Sequence, residues 1–304
     1  MKKITAHSIT WIDVQKPKQK DLDELKERFN FHPFIVQQFL PPIHRPKVEE
    51  YPNQLFIVLH FPIINQRQGR TKLVELDLII TPTTLITSHA NKIPDLETFF
   101  NDCQFQEHHQ NQYFKSSGHL LFNLLDWLID SRLPILDEIG EKIERIENKV
   151  FQGKEKEMLT KIAMVKKSLI DFHRAIKPQL SILKILDKKS TRLFSLETKP
   201  LSQEVLGSII RVWNLLENHR ELINSIEQTN NSLLSYKLND IMKFLTVVSF
   251  ITLPLNIIVG FFGMNVFSNT PLVRESPYAW ASILVFMFMA TIIMIIYFKK
   301  KKWL

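Results

Sequence analysis

The sequence predicts an α/β cytoplasmic domain followed by a long α-helical stalk and two C-terminal transmembrane helices, and three observations lead there. Two uncharged apolar runs, Phe244 to Phe262 and Tyr278 to Phe298, are about 19 and about 21 residues long, and as helices they span roughly 28 and 31 Å, enough for a hydrocarbon core. Ahead of residue 100 lie β-type runs separated by turn residues. Between Pro200 and Pro254 there is no helix breaker, so one helix runs from the soluble part into the first apolar run.

In chain order, Asp21 to Phe29 reads as a short amphipathic helix. Leu55 to Phe61 and Leu76 to Thr81 read as strands, and Thr84 to His89 as a third that closes a hairpin across Thr81-Pro82-Thr83. From Ser116 the period becomes helical: Leu120, Leu121, Leu124, Leu125, Leu128, Ile135, Leu136, Ile139, Ile143 and Ile146 predict one long helix, bent near Pro134 and broken at Gly153. Lys154 to Leu186 predicts an antiparallel partner that Pro178 bends or ends, with Asp187 to Thr191 as a solvated loop. The third helix is expected to start around Ser202, with Ser202 and Glu204 at its N-terminus. The expected division is 1–115 (α/β), 116–200 (antiparallel helices), 201–243 (stalk), 244–262 (first span), 263–277 (outer loop), 278–298 (second span) and 299–304 (basic tail).

Charge fixes the orientation. Lys237 and Lys243 precede the first span and Lys299 to Lys302 follow the second, whereas the connection carries only Arg274 against Glu275, so both termini are expected to be cytoplasmic. The formal charge of +8 and the pI near 9.4 are spread along the chain. The lysine run suits an anionic inner leaflet, and with no aromatic-basic module a nucleic-acid partner is excluded. A single cysteine, Cys103, rules out an intrachain disulfide and a thiolate metal cluster within one chain. The start, Met1-Lys2-Lys3-Ile4-Thr5-Ala6-His7, lacks the apolar core of a signal peptide.

The third helix carries two different faces. Stepping back from Gly260 by four and three residues in turn meets Asn256, Leu253, Ser249, Thr246, Met242, Asn239, Ser235, Ser232, Gln228, Ser225, Glu221 and Asn218. This is mostly small, amide or carboxylate character at the period of a supercoiled bundle. Polar knobs at a dry axis are costly, and a water-filled axis removes the cost. Two spans cannot enclose such an axis, so the stripe predicts a homo-oligomer. Val205, Ile209, Val212, Leu216, Ile223 and Ile226 form a separate apolar stripe toward the preceding helices.

Phe262-Gly263-Met264-Asn265 follows the first span. Tyr297-Phe298-Lys299-Lys300-Lys301-Lys302-Trp303-Leu304 closes the chain, and His44-Arg45-Pro46-Lys47-Val48-Glu49 lies upstream. In these segments the chain resembles the CorA family of divalent cation channels. The resemblance implies a funnel-shaped homopentamer in the inner cell membrane, without catalysis or a resident cofactor. It would conduct Mg2+, and also Co2+ or Ni2+, down the electrochemical gradient. Family pore positions fall on Asn239, Met242, Leu245, Leu253, Asn256 and the mouth Gly263, Met264 and Asn265, beside the stripe residues Thr246 and Ser249. At the constriction the resemblance points to Leu245 and the period to Thr246. Neutral oxygens at Asn265 suit a hydrated Mg2+, which gives up water reluctantly and must also leave.

The resemblance further implies closure by Mg2+ bound between cytoplasmic domains. Here the family's acidic ligand is replaced by Gln38, within Val36-Gln37-Gln38-Phe39-Leu40, while its partner falls on Glu204, so weaker inhibitory binding is expected. The outer loop, Asn269-Thr270-Pro271-Leu272 with Glu275, is less acidic than the family pattern.

Other readings stand beside these. A Zn2+ transporter of the related ZntB type shares Gly-Met-Asn, and a membrane-anchored adaptor needs only the apolar hairpin. Thr246 and Ser249 could serve helix packing, and Asn256 could serve carbonyls freed by Pro254. Glu107-His108-His109 reads as a solvated loop rather than a metal site, and Asp137, Glu138, Glu141, Glu144 and Glu147 as a solvated helix face.

Overall fold

A computed structural model describes residues 1–29, 31, 35, 38, 44–65, 70–194, 196–264 and 278–303. The chain forms two compact units, Met1–Glu227 and Gln228–Leu304.

The first unit is organised by a six-stranded sheet in the order β1-β2-β6-β5-β4-β3. Its strands are β1 (Lys2–Ala6), β2 (Ile9–Gln15), β3 (Lys47–Tyr51), β4 (Gln54–Asn65), β5 (Arg70–Ile80) and β6 (Thr84–His89). The three expected runs lie in β4, β5 and β6, and β5 and β6 form the expected antiparallel hairpin. The edge strands β1 and β3 escape the hydrophobic pattern because Lys2, Lys3, Lys47, Glu49 and Glu50 charge them, as suits strands that must not recruit another chain. β1 turns into β2 through His7 and Ser8, both at positive φ (48° and 69°), the backbone of a tight two-residue hairpin. β2 then pairs with β6 in parallel, aligning Trp11 with Leu85 and Asp13 with Thr87.

Both faces of the sheet are covered. On one face Ile12, Val14, Phe56, Val58, Ile79 and Ile86 pack against Leu22 and Leu25 of α1 (Gln19–Phe29) and against Phe31 and Ile35. On the other face Trp11 sits 4.8 Å from Phe100 and 5.8 Å from Phe99, ring centre to ring centre, on α2 (Pro94–Phe105). The indole N–H donates to Thr87 Oγ1 at 3.1 Å, and that hydroxyl donates to Asp13 at 2.6 Å. His89 completes the buried chain, 3.3 Å from Asp13. Burial pushes its pKa down, but the Asp13 carboxylate and the Asn91 carbonyl outweigh it and hold the imidazole above its ordinary value.

The helices correct several expectations. Glu107-His108-His109 opens a short helix, α3 (Glu107–Tyr113), rather than a loop. The single helix expected from Ser116 is two, α4 (Ser117–Asp130) and α5 (Leu133–Phe151), because Pro134 sits in the first turn of α5, where its missing N–H costs nothing. Arg132 occupies the junction and is 1% exposed. Its guanidinium donates to the Pro62 carbonyl at 2.7 Å, to Ser131 Oγ at 2.8 Å and to Asp95, and burial lowers its pKa to about 10. Arg132→Ala would leave the Pro62 carbonyl and the Asp95 carboxylate without their donor. A loss of about 3–5 kcal/mol is expected, read as a lowered thermal midpoint. An unchanged midpoint would show that the junction does not depend on this group.

Gly153, at φ 86°, makes the expected break before α6 (Glu155–Leu193). Neither Pro178 nor Asp187–Thr191 interrupts α6. Phe172, Ile176, Ile182, Leu183 and Leu186 stay buried on both sides of the proline, and the Gln179 amide donates to the His60 carbonyl. Asp187 lies in helix and accepts from Lys199 Nζ at 2.8 Å and Ser202 Oγ at 2.7 Å. Burial acts to raise its pKa, and these two bonds prevail and lower it. α7 (Lys199–Phe262) starts three residues before Ser202, whose buried hydroxyl ties the first turn to Asp187 rather than capping the helix. It then runs unbroken for 64 residues, on the order of 95 Å. Val205, Ile209, Val212, Leu216, Ile223 and Ile226 are all buried, as expected of the apolar stripe.

The second unit holds the rest of α7 and α8 (Ala279–Lys300), and both helices are long and apolar enough to cross a membrane. Val247 is 1% exposed, and Phe250 meets Phe298 with ring centres 6.2 Å apart. At the end of α8, Trp303 folds back on Phe298, and the Lys301 ammonium lies 5.5 Å from the Tyr297 ring.

Candidate functional site

The polar stripe of α7 is open on the single chain. Asn239, Met242, Leu245, Ser249, Leu253, Asn256 and Gly260 are exposed, and only Thr246 is half-buried. Leu245 is 56% exposed and Leu253 61%, so apolar groups interrupt the polar ones along this open face. Of the two residues expected at a constriction, Leu245 is thus the more exposed on the single chain, and its neighbour Thr246 is half-buried.

The hydroxyls are satisfied within the helix. Thr246 Oγ1 donates to the Met242 carbonyl at 2.7 Å, Ser249 Oγ to Leu245 at 2.9 Å and Thr252 Oγ1 to Val248 at 2.9 Å. With their protons committed, these oxygens can still accept from water but have no donor to offer it. The Asn256 amide makes no hydrogen bond among the described residues, so it does not serve the carbonyl freed by Pro254. Its full donor and acceptor set faces outward.

α7 ends at Phe262. The Gly263 N–H reaches the Val259 carbonyl at 2.9 Å, and a Cβ on Gly263 would lie 3.0 Å from that same oxygen. The close approach, not a left-handed backbone, is what calls for glycine here. Met264 follows and is 53% exposed. Asn265 and the loop through residue 277, with Asn269-Thr270-Pro271-Leu272 and Glu275, lie outside the described residues.

The two residues expected at a regulatory cation site are separate within the chain. Glu204 is exposed on α7, and no hydrogen bond or ion pair joins it to Gln38 among the described residues. Gln38 belongs to a polar cluster instead. Its carbonyl accepts from Lys47 Nζ at 2.6 Å, and its amide reaches Glu49 at 3.4 Å. Lys47 also pairs with Glu49 at 2.7 Å, and Tyr51 Oη donates to the same carboxylate at 2.9 Å. Burial favours a raised Glu49 pKa, and these donors overcome it and lower it. An ammonium is thus already seated against the Gln38 carbonyl.

A second cluster was not foreseen. The alternation Glu75-Leu76-Asp77-Leu78 puts two acids on one face of β5, and this spacing was the signal available in the sequence. Glu75 accepts from the His44 backbone N–H at 2.9 Å and stands 3.7 Å from His44 Nδ1 and 3.8 Å from His60 Nε2. Burial works to raise the Glu75 pKa, but the bonds from His60 and His44 bring it down. Asp77 beside it is pushed up to about 8, first by burial and then by the Glu75 charge. No group of three or more His, Cys, Asp or Glu suited to a metal ion occurs among the described residues, Glu107-His108-His109 included.

A mixed-sheet α/β unit, a 64-residue helix with an exposed polar stripe and two helices long and apolar enough to cross a membrane have the architecture of a membrane protein. The chain belongs to the CorA-like Mg2+ transporter family, whose model matches residues 6–300. It is 29% identical over 298 residues to the cobalt/magnesium transport protein CorA of Thermotoga maritima, covering 97% of this chain and 83% of that protein. The solved structure of the CorA magnesium transporter from Methanocaldococcus jannaschii shares the fold with a TM-score of 0.84 at 24% identity, over 100% of this chain and 95% of that one. The zinc transport protein ZntB of Yersinia pseudotuberculosis is more distant, at 20% identity over 221 residues, covering 73% of this chain and 66% of that protein. The transport reading therefore stands over the adaptor, and the CorA reading over the zinc one. The family is one of transporters rather than enzymes.

Proposed function

We propose that this chain is a channel for passive Mg2+ influx, also admitting Co2+ and Ni2+, built as a homopentamer in the inner cell membrane with both termini cytoplasmic and α8 against lipid. The open face of α7 carries the reading: a row of amides, hydroxyls bonded only within the helix, and widely spaced apolar groups stands largely exposed on the single chain. Several copies turned toward one axis would line it with Asn239, Met242, Leu245, Ser249, Leu253 and Asn256 and place Gly263, Met264 and Asn265 at the mouth. Neutral oxygens then hold a hydrated hard cation weakly enough for release, and the rings at Met242, Leu245 and Leu253 close the path by dewetting when narrowed. Uptake of Mg2+, Co2+ and Zn2+ into liposomes carrying the purified chain tests this. Faster entry of Zn2+ than of Mg2+ and Co2+ would favour the zinc reading instead.

Closure would follow from Mg2+ held between cytoplasmic domains, with Glu204 as one ligand and Gln38 in place of the other. An amide oxygen already bonded to the Lys47 ammonium is a poor cation ligand. Gln38→Asp is therefore expected to lower the Mg2+ concentration that protects the chain from protease by about tenfold, equivalent to ~1.4 kcal/mol. Protection at the same Mg2+ level in both proteins would count against a regulatory site at Gln38.

A further inference from the structure

One cleft outside the proposed ion path has a consistent chemistry. It lies between α5 and α6, holds about 360 Å³, and is floored by Ile139, Ile146, Met158 and Val165, all buried, with the exposed Met164 at its side. Its rim carries Lys142, Arg145, Lys149 and Lys161, and no acid lines it. Lys142 and Arg145 have carboxylate neighbours one turn away, Glu138 at 2.7 Å and Glu141 at 3.3 Å. Such exposed pairs are weak and open to exchange. Lys149 and Lys161 have no ion pair among the described residues. Along helix α5 the basic residues lie on the flank beside the cleft, where Glu138 also falls, and Asp137, Glu141, Glu144 and Glu147 lie toward the other flank of its buried stripe.

We propose that this cleft binds a nucleoside triphosphate in its metal-free form, with the base against the methionine and isoleucine floor and the phosphates on the four cations. The size is that of a small-molecule site, roughly 300–1,000 Å³. A floor of apolar side chains has no use for an inorganic anion. Four cations in turn exceed what a single phosphate needs, since a phosphomonoester carries at most about two negative charges. A triphosphate matches both requirements. Its oxygens are also hard ligands for Mg2+. The bound ion removes two of the charges the cleft would meet, so the cleft favours the free form. Free triphosphate accumulates when Mg2+ is scarce, which would make the cleft a sensor of Mg2+ supply. That meaning rests on the transport reading, but the binding itself does not.

Equilibrium dialysis of the full chain in detergent, with ATP in EDTA, ATP with excess Mg2+, and tripolyphosphate, tests the proposal without measuring transport. Saturable ATP binding is expected, at least tenfold weaker with Mg2+ present and at least tenfold weaker for K149E/K161E in EDTA. Tripolyphosphate is expected to bind severalfold more weakly than ATP, because it cannot use the floor. If K149E/K161E fails to fold by circular dichroism, K149Q/K161Q replaces it with the same expected direction. Absence of saturable binding, equal affinity for tripolyphosphate, or binding unchanged in the folded variant would each overturn the proposal. So would a variant whose only change is its oligomeric state, since the cleft would then receive the acidic flank of a second copy.

Discussion

Mg2+ uptake into liposomes carrying the Asn265→Ala chain is expected to fall at least tenfold, a loss of roughly 1.4 kcal/mol or more per ion passed. The argument is chemical. Mg2+ keeps much of its water and accepts only hard oxygen partners, so a mouth that selects it must replace second-sphere hydrogen bonds as the ion leaves bulk solvent. On the proposed pore reading, Asn265, two residues on in sequence from the Gly263 that hydrogen-bonds the Val259 carbonyl, would supply a carbonyl oxygen for this. In the proposed oligomer, alanine would remove the oxygen from every copy at once, while leaving the sequence of the apolar helix before it unchanged. Asn265→Asp separates chemistry from shape, because it keeps the oxygen and adds charge. Tighter binding and slower release are expected of it. Uptake by Asn265→Ala within twofold of the unaltered chain would remove Asn265 from the path.

The second large effect concerns stability. Asp77 is 5% exposed, its Oδ1 has no hydrogen-bond partner among the described residues, and its pKa stands at about 8 against an ordinary 3.8. A carboxyl raised in this way binds its proton in the folded state where the unfolded chain has lost it. Its contribution to stability is therefore whole below pH 3.8 and declines as pH rises, until the folded group also ionises near pH 8. Asp77→Asn keeps a donor toward Glu75 and needs no proton. At pH 7 it is expected to stabilise the chain by on the order of 3 kcal/mol, raising the thermal midpoint by roughly 6–12 °C. Below pH 3.8 the advantage should vanish. A midpoint difference that does not change between pH 3.5 and pH 8 would mean that Asp77 is not held neutral by its surroundings.

What could be read in the sequence follows a physical division. The buried strands β4, β5 and β6 and the apolar stripe from Val205 to Ile226 were legible because burial imposes a period on the residues themselves. The edge strands β1 and β3 were not, since their charges serve to keep other chains away rather than to fill a core. Pro134 and Pro178 misled in opposite ways. The first starts a helix and the second is carried inside one, and a proline's effect depends on whether packing on both sides holds the chain. The exposed polar stripe of α7 was legible from its period alone, but which of Leu245 and Thr246 stands more exposed on it was not. Only the orientation of the helix distinguishes Leu245 from Thr246. The network around Gln38 was hidden for another reason: a glutamine gives no sign in sequence that a lysine nine residues on will seat itself against its oxygen.

The unbroken course of α7 has a further consequence, which concerns insertion and deletion. Each residue in a helix advances the facing direction by about 100°. One residue added near Lys243 would turn everything beyond it, swinging Leu253 and Asn256 out of line with Asn239 with no loop to absorb the error. An addition of seven residues would return the line to within about 20°. From Gln228 to Phe262 the helix is thus phase-locked. Point changes along it can be tolerated one at a time, whereas changes in its length are admissible only in whole double turns.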